Sequence, residues 1–139
     1  MTALTRSSSK LTHAGAMLIL EAAVRAADAM GVPQCIAVVD EGANLLAFCR
    51  MDGAKVLSIP SCQAKAATAA ASGKPTGTAP AESEIKLAVA TDGRNTNLKG
   101  GLPIIVDGVL VGGIGVGSGT GDQDRDVAAA ALAAVGLAA

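Results

Sequence analysis

The segment "GIGVGSGTG" places a glycine at every second position from residue 113 to residue 121. A period of two is the side-chain period of a β-strand, so one face of this strand carries no side chains. Such a bare face lets another backbone or a ligand come close to the sheet. We expect Gly113 and Gly115 to allow close packing of a helix or a partner subunit, and a backbone-lined ligand pocket is the alternative interpretation.

The same glycines do not form a dinucleotide-binding fingerprint. The pattern GxGxxG would need a glycine where Ser118 or Thr120 stands. Three acidic residues, Asp122, Asp124 and Asp126, then open the next helix and would repel a phosphate at its N-terminus. We interpret them as acids placed favourably against the helix dipole.

Composition excludes several classes of protein. The chain has 139 residues, which predicts one domain over 1–139, and 50% of them are hydrophobic, which excludes a disordered chain. The net charge of −1 gives no electrostatic basis for binding nucleic acid or an anionic membrane. Phe48 is the only aromatic residue, so the stacking platforms used for single-stranded nucleic acid are absent from the sequence.

The cysteines and the N-terminal region indicate a cytoplasmic protein. The chain has three cysteines, no CxxC pair and one histidine, so no zinc site of cysteine and histidine is predicted and the thiols are expected to be free. The apolar run 14–20 resembles a short signal peptide, but Glu21, Arg25 and Asp28 follow it on one helical face. We therefore expect an amphipathic helix, and no stretch is long enough to span a membrane.

The first half of the chain predicts a helix, a hairpin and a second helix. Thr12 is a suitable N-cap for a helix over 13–30, which Gly31 ends. The runs 35–41 and 45–51 predict two strands that turn at 41–44. Both faces of these strands are apolar, so we expect the sheet to be covered on both sides or buried in an assembly.

The second half continues this alternation. An alanine-rich helix over 55–72 leads through a loop into a short helix at about 81–89. The residues 102–117 predict a second hairpin that turns at Asp107-Gly108, and a last helix extends to about residue 137. The expected class is α/β of the α+β type, with an antiparallel sheet of two hairpins flanked by helices.

Several motifs together resemble a known family. They are "VVDEGANLLAFCRMDGA" (38–54), "AKAATAAA" (64–71), "GGLP" (100–103) and "DGVLVGGIGVGSGTGDQDRDVA" (107–128). They resemble the GlcG/HbpS-like family of haem-binding or haem-degrading-type proteins, which also supplies the C-terminal domain of PduO-type cobalamin adenosyltransferases. The resemblance covers nearly the whole chain. It implies a profilin-like sandwich, assembly into dimers or larger homo-oligomers, and haem or a related small molecule as the ligand.

This chain departs from the family at one motif. The family's glycine-rich strand usually ends Gly-Val-Ser-Gly-Gly, whereas this chain has Gly115-Val116-Gly117-Ser118-Gly119. The serine is displaced by one position, which places it on the other face of a strand.

Three charged residues are candidates for a ligand pocket. Arg50 and Asp52 lie two residues apart at a strand end and so share one face. Lys65 lies in the middle of the alanine-rich helix, where a lysine either extends to solvent or points into a cleft. The structural alternative is a solvated lysine, or an ion pair of Arg50 with Asp52 or of Asp40 with Lys65.

Two glycines complete this candidate site. Consecutive glycines at Gly100 and Gly101 expose backbone amides that can form an anion-binding nest. Together with Arg50 and Lys65, these amides would suit a carboxylate. A tight turn before a strand is the alternative interpretation.

Two functions of different classes remain. The first is a homo-oligomeric binding module for haem or a related cofactor, in which His13, the only imidazole, is the candidate iron ligand. The second is a small catabolic enzyme that acts on a carboxylate substrate. Lys65 would be its base or Schiff-base former, Arg50 its carboxylate clamp and Asp52 its proton relay, while glycine amides stabilise a developing oxyanion.

Overall fold

The computed structural model describes residues 2–139, and its elements follow the predicted order. In chain order they are α1 (His13–Met30), β1 (Cys35–Asp40), β2 (Leu45–Arg50), α2 (Ser58–Ser72), α3 (Ala81–Ala90), β3 (Gly101–Val106), β4 (Val109–Gly117) and α4 (Gly121–Ala134). The α+β class with an antiparallel sheet is confirmed. The structure begins α2 three residues later than the sequence predicts and ends α4 three residues earlier.

The four strands form one sheet in the order β2-β1-β4-β3, and every neighbouring pair is antiparallel. Two hairpins, β1–β2 and β3–β4, are joined through β1 and β4, with Ala37 opposite Gly115. The second hairpin turns at Asp107 and Gly108, as predicted, and both residues have positive φ angles (50° and 77°). That geometry matches the right-handed twist of the flanking strands.

Helices cover both faces of the sheet, which confirms the expectation from its apolar strands. Alternate residues of the strands point to opposite faces. One face packs against α1 and α4, and its fully buried residues include Ile36, Ile114 and Leu102. The other face packs against α2, where Ala37 of β1 and Ala66 of the helix belong to one buried cluster. The sheet is therefore the middle layer of a sandwich.

The termini of α1 and α4 follow from their capping residues. The side chain of Thr12 accepts a hydrogen bond from the amide of Gly15, and Gly31 ends α1 in the left-handed conformation with φ 75°. Thr120 and Gln123 form a reciprocal capping box at the start of α4. These contacts satisfy backbone groups that a helix end otherwise leaves unpaired.

The alternating glycines bring the backbone of α2 directly onto the sheet. A Cβ atom added at Gly115 would lie 1.9 Å from the carbonyl oxygen of Cys62, and one added at Gly113 would lie 2.4 Å from that of Ala66. Gly101 on the neighbouring strand is equally close to the carbonyl oxygen of Lys65, at 2.4 Å. Helix packing is therefore the reason for the bare strand face at these positions.

No helix among residues 2–139 is long and apolar enough to cross a membrane. Helix α3 differs from the other three helices in one respect: none of its residues is buried.

The substitution Gly115→Ala tests the close approach of α2. The added methyl group would collide with helix backbone that no side-chain rotation can move, so we expect a loss of more than about 3 kcal/mol in the free energy of unfolding. Urea unfolding followed by far-UV circular dichroism measures this loss.

Gly93→Ala is the matched control. No atom lies within 4 Å of a Cβ added at Gly93, whose φ is +79°, so this variant reports backbone strain alone, about 1 kcal/mol. Equal losses for the two variants would contradict the steric explanation.

Candidate functional site

A buried ion pair lies at the centre of the candidate site. Lys65, in the middle of α2, and Asp124, in the first turn of α4, are 4% and 3% exposed. The Nζ atom of Lys65 donates to the Oδ2 atom of Asp124 at 2.9 Å and to the carbonyl oxygen of Val116 at 2.8 Å. Because α2 and α4 pack on opposite faces of the sheet, this pair joins the two outer layers.

Gly100, the residue just before β3, lies directly against the ion pair. A Cβ atom added at Gly100 would lie 2.8 Å from the Cβ atom of Asp124 and 3.0 Å from the Nζ atom of Lys65. The φ angle of Gly100 is +130°, a backbone conformation that other residues rarely adopt. Because it has no side chain, Gly100 can adopt this backbone conformation and can also lie directly against Lys65 and Asp124.

The second carboxylate oxygen of Asp124 fixes the connection between β4 and α4. The amide of Gly119 donates to the Oδ1 atom of Asp124 at 2.9 Å and also contacts the Oε1 atom of Gln34 at 3.1 Å. Both oxygens of Asp124 are thus bound by donors, as a buried carboxylate requires.

The predicted ion pairs of Lys65 and Arg50 differ from those observed. Lys65 pairs with Asp124, whereas Asp40 accepts hydrogen bonds from the amides of Gly42 and Asn44 in its own turn, at 2.9 Å each. Among residues 2–139, Arg50 and Asp52 form no ion pair with each other. The partner of Lys65 was missed because the three aspartates were interpreted only through the helix dipole.

A signal for Asp124 was present in the sequence. Asp124 precedes the buried residues Val127, Ala128 and Ala131 by three, four and seven positions, so it lies on the buried stripe of α4. Asp122 and Asp126 do not share this spacing.

The candidate carboxylate site is divided between two places. Lys65, Gly100 and Gly101 lie together, but the amide of Gly101 donates to the Oγ1 atom of Thr76 at 2.8 Å and so is already bound. Arg50 and Asp52 instead line a shallow cavity of about 370 Å³ beside α1.

The strand order explains this separation. Arg50 ends β2 at one edge of the sheet, and Gly101 begins β3 at the opposite edge. Three strand spacings therefore lie between the two strands, roughly 14 Å at the usual distance between neighbours.

His13 lies apart from both places. It is exposed in the first turn of α1, and Met17, one turn later on the same side of the helix, is 42% exposed. The only imidazole of the chain is thus accessible beside the exposed side chain of Met17.

The cysteines do not form a reactive centre. Cys35 and Cys62 are free and fully buried, and Cys49 is free and partly buried. Burial raises the pKa of the Cys62 thiol to about 12, so this thiol is protonated at neutral pH. A protonated, buried thiol is a poor nucleophile.

The comparisons with known proteins show the family. The family model described as "Haem degrading protein HbpS-like" matches residues 11–133, and the chain therefore belongs to the HbpS-like family.

Among curated proteins, the protein GlcG of Escherichia coli K12 is 38% identical over 81 residues, which cover 58% of this chain and 60% of GlcG. The matched segment thus spans less than two thirds of that relative.

Two solved structures resemble the whole fold. The structure of protein ORFY from Klebsiella pneumoniae matches with a TM-score of 0.88 and 30% identity, covering 96% of this chain and 95% of ORFY. The structure of a PduOC–haem complex matches with a TM-score of 0.84 and 28% identity, covering 92% of this chain and 96% of that protein. The GlcG/HbpS-like resemblance of the sequence is confirmed.

A double-mutant cycle tests the coupling of Lys65 and Asp124. Lys65→Met alone leaves a buried carboxylate without its cation, and Asp124→Asn alone leaves a buried ammonium without its anion. We expect each to lower the free energy of unfolding by about 3–5 kcal/mol, because an unpaired buried charge is costly.

Since the double variant buries neither charge, we expect it to lose less stability than the sum of the two single losses. Urea unfolding at pH 7 measures all three, and additive losses would contradict a direct pair.

Proposed function

We propose that this chain is a small-molecule-binding protein of the HbpS-like family that takes haem as its ligand, and that His13 would hold the iron. The observation that carries the proposal is the accessible imidazole of His13 beside the exposed side chain of Met17, one helical turn later. The family description and the PduOC–haem complex support haem as the ligand.

The residues on this face fit the group. A neutral imidazole is a common protein ligand of haem iron, and apolar side chains next to it can cover part of the porphyrin. When bound, haem would supply an iron whose properties depend on the protein side chain that holds it and on the polarity around it. The chain itself contributes the imidazole and the apolar surface of α1.

The alternative function, a small enzyme acting on a carboxylate, has less support. A Schiff base or general base requires a neutral, accessible amine. The Nζ atom of Lys65 is buried and bound to a carboxylate and a carbonyl oxygen. Its intended partner Arg50 lines a different cavity.

Self-association is part of the proposal. Helix α3 buries none of its residues, and Ile85 and Val89 on it are 74% and 75% exposed. Large exposed apolar side chains one turn apart are typical of an interface, so we propose that α3 contacts a second copy of the chain. The free cysteines are compatible with the reducing cytoplasm, where we place the protein.

Sedimentation velocity tests self-association. We expect a dimer or larger species of the 13.5 kDa subunit, and a shift to smaller species in Ile85→Glu because a charge at a contact opposes association. Arg125→Glu, an exposed position on α4, is the control and should not shift the distribution. A wild-type monomer would contradict this part of the proposal.

Absorption titration with haemin tests the ligand. We expect a shifted Soret band for the wild type, and at least about tenfold weaker binding with an altered band in His13→Ala, since a lost ligand changes the iron coordination. Added imidazole should restore the band in that variant.

Arg25→Ala, an exposed position farther along α1, is the matched control and should retain wild-type binding. A wild-type band unchanged by haemin, or full retention of the shift in His13→Ala, would contradict the proposal.

A further inference from the structure

A cavity of about 290 Å³ opens between the start of α2 and the connection from β4 to α4. Its lining includes no residue of α1, so it is separate from the surface that carries His13. It lies above the buried ion pair, because Lys65 and Asp124 form part of its wall. Its volume lies just below the range of sites for drug-sized ligands, which suits a small molecule or ion.

Two serine hydroxyls of α2 line this cavity. Ser58, Ser61 and Lys65 are spaced by three and four residues, so they share one face of the helix. Ser58 is only 4% exposed and Ser61 is partly buried, and both line the cavity. A serine hydroxyl carries one proton that it can donate to a negatively charged oxygen atom, so these two hydroxyls supply donors to the cavity.

A third hydroxyl on the opposite wall also has a proton to donate. The Oγ atom of Ser118 accepts a hydrogen bond from the amide of Lys55 at 2.7 Å, which leaves its own proton available. Ser118 has a φ angle of 102°, which holds this side chain in a backbone conformation that non-glycine residues rarely adopt.

The charges around the cavity favour an anion. Three lysines line it (Lys55, Lys65 and Lys99), but Lys65 and Lys99 are each paired with an aspartate, so the uncompensated positive charge is that of Lys55. Asp124 supplies the carboxylate in the cavity wall. Both oxygens of that carboxylate are already bound by donors, and among residues 2–139 Lys55 forms no ion pair. Lys99 pairs with Asp122 at 2.7 Å on the exposed rim.

The N-terminus of α2 adds to the positive electrostatic potential in the cavity. The first turn of α2 carries no acidic residue, so the positive end of its dipole is not neutralised there. Donor hydroxyls, ammonium groups and a helix N-terminus all stabilise negatively charged oxygen atoms.

We infer that this cavity binds a small oxyanion, the carboxylate or phosphate group of a small molecule, through the hydroxyls of Ser58 and Ser61 and the ammonium group of Lys55. The assignment goes beyond haem binding and does not depend on it. Lys65 forms part of the cavity wall, but its ammonium group is already bound to Asp124 and to the carbonyl oxygen of Val116.

Equilibrium dialysis of the full chain without haem tests this site. The probes are radiolabelled inorganic phosphate and radiolabelled malonate, each at constant ionic strength maintained with chloride. We expect saturable binding of at least one probe, and the probe that binds more tightly distinguishes a phosphate site from a carboxylate site.

Substitutions locate the binding. We expect Ser58→Ala/Ser61→Ala to weaken it at least about tenfold, since hydrogen bonds to charged groups are strong. Lys55→Gln removes an exposed charge and should weaken it about two- to fivefold. The matched controls are Ser72→Ala, at the other end of α2, and Lys86→Gln on α3, which should bind like the wild type.

The outcomes separate the site from the haem proposal. His13→Ala should bind the anion as the wild type does, so a failure of haem binding leaves this inference intact. Circular dichroism confirms that each variant is folded, and the exposed position of Lys55 supplies a test if the double serine variant unfolds. Absence of saturable binding for both probes, or equal effects in Lys55→Gln and Lys86→Gln, would overturn the inference.

Discussion

The contact between the backbone of α2 and the backbone of β4 determines the rest of this structure. Glycines at 113 and 115 leave no side chain between the helix and the sheet, so α2 lies closer to the strands than ordinary packing allows. At that distance Lys65 reaches past the end of β4 to an acid on the other side of the sheet. The cavity beside α2 is lined by the same helix, so the position of that wall follows from the contact between α2 and β4.

The buried pair of Lys65 and Asp124 is better understood as a positional constraint than as a source of stability. Removing two charges from water costs free energy that their attraction only partly returns. The pair nevertheless has well-defined partners, because a carbonyl oxygen and a backbone amide complete its hydrogen bonds. Any movement of α4 relative to α2 would separate buried charges, so the two outer layers are held in one arrangement.

The sequence was sufficient for local structure and insufficient for long-range order. The Asp-Gly turn, the N-cap at Thr12 and the alternating glycines each have a local physical cause, and the structure confirms all three. The grouping of Arg50 with Lys65 depended on which strands are neighbours. The order β2-β1-β4-β3 places the end of β2 away from the start of β3, and no local pattern encodes that order. The burial of Asp124 could have been predicted from its position on the buried stripe of α4, but its partner could not, because Lys65 lies 59 residues earlier in the chain.

The contact between the strand glycines and the backbone of α2 also limits how a chain of this kind can diverge. A side chain added at Gly113 or Gly115 would meet backbone carbonyl oxygens of the helix, and no substitution in α2 removes a backbone atom to make room for it. In most protein cores, a larger side chain can be compensated by a smaller one beside it, so that the volume is kept. Such paired substitutions are not possible between α2 and β4. Substitutions that change the ligand are therefore expected at helix ends and in connecting segments. Side chains there face open space, and changing them does not alter the contact between α2 and β4.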